Sequence, residues 1–330
     1  MKMKKLLAWL MILVFCFTLV SCRKVTSDNS SADRSDKTSS ITKTETEGST
    51  PLLYRVTDNN GRVIWLFGSI HIGRENYYPL PDYVLEAFDN ADSLAVELDI
   101  NAFEKDKKLQ TQALSQLVYT DGSRIDDHIS EELYNKAVSV MEELDIYMSV
   151  FDRYCPAFWS SMIESVQYEK MGLNINLGID RHLLDRAYEN QKEILEVESA
   201  ELQYQMMAGF SDDLQALLLE ETVDMYENPE TAKSELDELM DIWAAGDEKE
   251  FSEYLANEDQ DMTTAEKQLY EEYIKAMFVD RNLSMTDYAE ASLKSGKEVF
   301  ICVGAAHIVG EGAVAELLKQ RGYKVECITR

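Results

Sequence analysis

The chain has 330 residues, 45% of them apolar, and its 61 Asp and Glu outnumber its 32 Lys and Arg to give a formal charge of −29. Such an acidic surplus excludes a nucleic-acid partner and disfavours binding to anionic lipid through the protein's own surface. Lys2, Lys4 and Lys5 followed by the apolar stretch Leu6 to Val20 read as an export signal over residues 1–21, too short for a spanning helix of about 20 residues. The signal ends Leu19-Val20-Ser21-Cys22, the form of a bacterial lipobox. Lipid on Cys22 would tether the chain to the extracytoplasmic face of the cell membrane. Removal of the three lysines takes the charge from −29 to about −32, so the acyl group must supply the attachment. Residues 22–50 are rich in Ser, Thr, Asp and Lys and cannot bury enough surface to offset their ordering entropy; they predict a disordered linker before a domain at 51–330.

In the domain, Asn59-Asn60-Gly61 between strand-like runs 52–58 and 62–67 predicts a hairpin. Pro79 and Pro81 open a short helix over 80–90, and Ser93 to Asp99 reads as a buried strand. Helical periodicity covers 102–118, 130–144 and 147–171. Gly178-Ile179-Asp180 opens a further helix with Asp180 as its N-cap, and 192–197 is a weak strand. From Ser199 to about Leu293 the pattern is a series of acidic amphipathic helices, broken near Asn228-Pro229, Gly246 and Asn257. Acidic runs such as 235–241 read as solvated helix faces. A strand at 299–304, a helix at 311–321 ended by Gly322, and a strand from Tyr323 to Thr329 complete the chain. The pattern predicts an α/β (α+β) fold: a central mixed sheet with helical cover and a long all-helical insertion. Cys155, Cys302 and Cys327 read as buried free thiols, although Cys302 and Cys327 lie in runs that could be neighbouring strands and so could pair.

Two segments repeat one device. Residues 63–73 (V-I-W-L-F-G-S-I-H-I-G) and 299–310 (V-F-I-C-V-G-A-A-H-I-V-G) are each an apolar run, then Gly-x-x-His, then another Gly. Each predicts a strand with its His just past the end. His71 and His307 are two of only four histidines and lie 236 residues apart, so the recurrence points to two strand ends that converge. Glu97 falls at the end of a third apolar run, where a buried carboxylate is expensive unless a cation or hydrogen bond stabilises it. His71, His307 and Glu97 would suit a divalent manganese, cobalt or zinc ion able to activate water. His128 and His182 read as surface residues, and no His-Glu-x-x-His or Gly-x-Ser-x-Gly motif is present.

Residues 62–73, 94–99 (L-A-V-E-L-D), 178–180 (G-I-D), 198–203 (E-S-A-E-L-Q) and 303–325 together resemble the TraB/GumN family, which includes the Tiki proteins of animals. The resemblance covers most of 52–328 and is most specific at its C-terminal block. It implies a sheet carrying both motifs, Gly68 with His71 and Gly304 with His307, and Glu97 as the acid of a metal site. Asp180, Glu198 and Gln203 match weaker family positions. Through its Tiki members it implies a metal-dependent protease acting on peptide or protein substrates, while other members are tied to peptide-pheromone shutdown or are unassigned. The alternative is a non-catalytic lipoprotein that sequesters a peptide or signal. Helices 205–290 match no detailed family pattern, so substrate choice does not transfer.

Overall fold

A computed structural model of the chain describes residues 48–256 and 262–328. The export signal and Cys22 lie outside these residues, as does the linker up to residue 47. Strands β1 (Leu53–Thr57) and β2 (Val63–Ser69) form the expected hairpin. Gly61, at φ 81°, takes the left-handed turn position that Asn-Gly announces. Helix α1 (Asp82–Asn90) leads to β3 (Ser93–Val96). The helix expected over 102–118 is instead α2 (Ile100–Phe103), α3 (Lys107–Leu114) and a 3₁₀ turn at Ser115–Leu117. The carboxylates of Asp99 and Asp106 each cap a new N-terminus, which breaks the run.

Helix α4 (Glu131–Glu143) is capped by Ser130. The long helix expected from 147 begins with a 3₁₀ turn, Ser149–Arg153, and restarts as α5 (Pro156–Lys170) because proline at a first helical position favours a start there. After α6 (Ile179–Glu189) and β4 (Glu193–Glu196) come α7 (Ala200–Ala208), α8 (Asp212–Glu227), α9 (Pro229–Ala245), α10 (Glu248–Ala256) and α11 (Thr264–Ile274). A π-turn, Lys275–Val279, joins α11 to α12 (Asp280–Ser295). Strand β5 (Val299–Gly304) is followed by the single turn α13 (Ala305–Ile308), α14 (Val314–Gln320) and β6 (Lys324–Ile328).

The six strands form one mixed sheet in the order β4-β3-β5-β2-β1-β6. Strands β4, β3, β5 and β2 are parallel, whereas β1 is antiparallel to both its neighbours. The four parallel strands therefore bring their carboxyl ends to one edge, where sites form in such sheets. One core surrounds the sheet and a second fills the helical insertion; Ala305 belongs to the first and Ala306 to the second. The folded part begins slightly earlier than residue 51. Ser49 is buried, and the Thr50 N–H donates to Ala244 O at 2.7 Å. Gly246 permits this contact, since a Cβ there would lie 1.8 Å from Thr50 O.

The three cysteines at 155, 302 and 327 are free. Cys155 and Cys302 are buried as expected and Cys327 is half-buried; Cys302 and Cys327 are not on neighbouring strands, because β2 and β1 lie between them. Among the described residues no helix is long and apolar enough to cross a membrane.

Candidate functional site

The two repeated segments lie side by side. Strands β2 and β5 pair in parallel, with Gly68 opposite Val303 and Ser69 opposite Gly304. A Cβ on Gly68 would stand 2.8 Å from Ala305 Cα, so the missing side chain lets the turn bearing His307 rest on β2. The Gly68 carbonyl accepts from Trp243 Nε1 at 2.9 Å, which ties this point to α9.

His71 lies two residues past β2, and its Nδ1 is 2.8 Å from Asp180 Oδ2. Asp180 is not the N-cap of α6: Gly178 holds that position, and Asp180, one residue into the helix, turns its carboxylate to the imidazole. Burial disfavours the His71 cation, but the Asp180 charge and hydrogen bond, together with the Glu97 charge, outweigh it and raise the pKa above the ordinary histidine value. Burial also opposes the Asp180 anion, yet His71 brings its pKa below the usual carboxylate value.

His307 is 1% exposed. Its Nδ1 is 2.7 Å from Asn282 Oδ1, and Asn282 Nδ2 donates to Gly312 O at 3.0 Å, which fixes the amide's orientation. His307 Nδ1 is therefore the donor, leaving a lone pair on Nε2. The Phe278 ring packs 5.3 Å from the imidazole. Burial, reinforced by Arg281, drives the His307 pKa well below the usual value, so the ring stays neutral.

Glu97 follows β3, and its buried charge is met by a cation the sequence reading missed. Arg281 Nη2 donates to Glu97 Oε2 at 2.6 Å, while Arg281 Nε donates to Glu198 Oε1 at 2.7 Å. Gln203 Nε2 bridges the same carboxylates, at 2.8 Å from Glu198 Oε2 and 3.5 Å from Glu97 Oε2. The other Glu97 oxygen, Oε1, accepts from the Gly304 N–H at 2.6 Å. The second Gly-x-x-His motif thus supplies both an imidazole and a backbone donor. The charges of Glu97, Arg281 and Asp180 act on His71, and those of Arg281, Glu198 and His71 act on His307, so all these groups share one electrostatic neighbourhood.

Every expected site residue of the folded domain falls in or beside this assembly, while Cys22 lies outside the described residues. The Nδ1 of each motif histidine has a fixed partner, the arrangement in which Nε2 binds a metal. No three or more His, Cys, Asp or Glu side chains among the described residues form a ready-made metal cage, and Glu97 is bound by Arg281 and Gly304. The donors that fit a divalent ion are the two imidazoles, with one lone pair left on Glu97 Oε1.

The other two histidines stand apart and are half-buried rather than exposed. His128 stacks on Tyr119 at 4.1 Å and lies 3.0 Å from Asp212; His182 packs 4.4 Å from the Tyr78 ring.

The chain matches the TraB/PrgY/gumN family over residues 52–327. It is 28% identical over 265 residues to the uncharacterized protein YbaP of Escherichia coli (strain K12), covering 80% of this chain and 90% of that protein. It is 29% identical over 255 residues to YbaP of Shigella flexneri, covering 77% of this chain and 87% of that one. No solved structure matches. The match runs from the first residues of β1 to the last of β6 and encloses both motif strands, and on that extent the chain belongs to the TraB/PrgY/gumN family.

Proposed function

We propose that the chain is a metal-dependent hydrolase acting on peptides, held on the extracytoplasmic face of the cell membrane by lipid on Cys22. The observation that carries this reading is the matched environment of the two imidazoles: each Nδ1 is tied, to Asp180 or to Asn282, and each Nε2 is left to hold a divalent ion. A bound ion would supply an activated water and polarise a scissile carbonyl. Asp180 and Asn282 keep the rings from turning. His307 is neutral before any ion arrives, so its lone pair is not lost to a proton. The Arg281 guanidinium and the Gly304 N–H fix the Glu97 carboxylate. Glu97 Oε1 faces the motif turn and retains a lone pair for an ion or a proton.

The test is metal content of the full chain after loading with manganese, cobalt or zinc. One ion per chain, lost in both His71→Ala and His307→Ala while the fold persists, is the expected result, with chelator-sensitive cleavage of a peptide library. Stoichiometric metal absent under all three ions rejects the metal site. Peptides bound but left intact would make the chain a sequestering protein.

A further inference from the structure

A cleft of about 260 Å³ opens beside the site, between α2 and α3 on one side and α7 and β4 on the other. It lies where the chain leaves the sheet. Leu98 and Asp99, directly after Glu97, line it, and so do Ser199 and Ala200, directly after Glu198. Its floor is apolar, made by Phe103, Ala113 and Ala200, all buried. Leu109 lies on its rim with 47% of its surface exposed. The acidic residues Asp99, Glu196 and Glu201 line it, and no Lys or Arg does among the described residues. Asp99 is committed to the α2 cap and to the Tyr188 hydroxyl, and one Glu201 oxygen is bridged by Gln112 at 2.8 Å. Glu196 is exposed on β4, and its Oε1 accepts from the Asp99 N–H at 2.9 Å; among the described strands β4 pairs with β3 alone, so it is an edge available to an extended chain.

The cleft is also connected to His71. Asn101 of α2 accepts from Arg181 Nη1 at 3.2 Å, and Arg181 follows Asp180, the partner of His71. The next residues of α2, Ala102 and Phe103, face the cleft. Cleft and imidazole are thus linked through α2 and the first turn of α6.

We infer that this cleft is the substrate-binding subsite, taking an extended peptide with an apolar side chain on the Phe103–Ala113–Ala200 floor and an adjacent basic residue at Glu196 and Glu201. The inference rests on the peptide-hydrolase reading for its substrate class. An apolar floor gives affinity through area removed from water, while rim carboxylates choose among apolar peptides by charge. An open β-edge supplies the backbone bonds that extended peptides use.

The experiment measures binding of two labelled peptides to the full chain, one with a central Leu-Lys pair and one with Leu-Ser. The Leu-Lys peptide binds more tightly, and its advantage shrinks as salt is raised. Ala102→Trp fills the cleft and weakens both peptides by about tenfold. Leu109→Arg, at an exposed position the fold tolerates, and the double change Glu196→Gln with Glu201→Gln each abolish the preference for Leu-Lys. Absence of Leu-Lys binding by the wild type, or wild-type affinity in these variants, overturns the inference. Cleavage with the cleft variants unchanged would retain the hydrolase and reject the cleft. Cleft-dependent binding without cleavage under any metal would retain the cleft and reject the hydrolase.

Discussion

Arg281 and Asn282 are neighbours in the chain, yet they hold opposite halves of the site: Arg281 bonds Glu97 and Glu198, and Asn282 bonds His307. Both project from the start of α12, just after the π-turn at Lys275–Val279. Such single-turn insertions are frequent at functional sites. The helical insertion is thus part of the site and more than a cover over it.

Asn282→Ala should leave His307 Nδ1 buried without its acceptor, at a cost of about 1–3 kcal/mol, and free the ring to turn. Metal affinity should fall by about 10–100-fold. Competition against a chelator measures the second effect and urea unfolding the first. Unchanged affinity would remove Asn282 from the site.

Arg281→Met should destabilise the fold by about 3–5 kcal/mol at neutral pH, because Glu97 and Glu198 are left buried without their cation. Urea unfolding of the two proteins measures it. A loss below about 1 kcal/mol, the range of a solvent-exposed pair, would contradict the burial of these charges.

Glu164→Gln tests a buried carboxyl outside the site. Burial pushes Glu164 up to about 7, against an ordinary value of 4.5, although its side chain accepts from the Thr222 hydroxyl at 3.1 Å. The folded state keeps this proton over a range where the unfolded state releases it. Wild-type stability should therefore fall as pH rises from about 4.5 to about 7 and level off above. The Gln variant lacks that slope and should be the more stable at pH 8, by up to roughly 3 kcal/mol. Urea unfolding at pH 5 and pH 8 decides it; parallel pH dependence in the two proteins would contradict the burial.

Gly68→Ala should push β2 and the His307 turn apart, since the new Cβ meets the Ala305 backbone at 2.8 Å. Overpacking of this kind costs about 1–3 kcal/mol. Metal binding should suffer with it, whereas Gly61→Ala, with open space around it, should leave binding intact.

The sheet was legible because its strands are apolar runs bounded by Gly and Pro, and Gly-x-x-His recurs in two of them. The adjacency of β2 and β5 followed from that recurrence. Helix breaks at Asp99 and Asp106 were not legible, because an Asp among mixed charges looks like a surface residue until its carboxylate caps a helix. Arg281 was missed for a related reason: a single Arg in a long run of acidic helices reads as a surface partner. One signal did point to it. Burial of Glu97 demands a nearby cation, and in the fold Arg281 of the insertion is that cation. Asn282 carries no sequence signal, since an amide that orients an imidazole looks like any other helical Asn.

Strand β5 lies between β3 and β2, so these two earlier strands have no pairing with each other and wait for a segment that begins at residue 299. The ribosome completes more than nine-tenths of the chain before the middle of the sheet exists. Until then β2 and β3 each have an unfilled edge, open to wrong partners. Closure requires a contact across more than two hundred residues, which is slow. The strand that closes the sheet also brings His307 and the Gly304 N–H. A chain truncated before it has neither a finished sheet nor a site, so in this protein functional competence arrives in the same step as completion of the core.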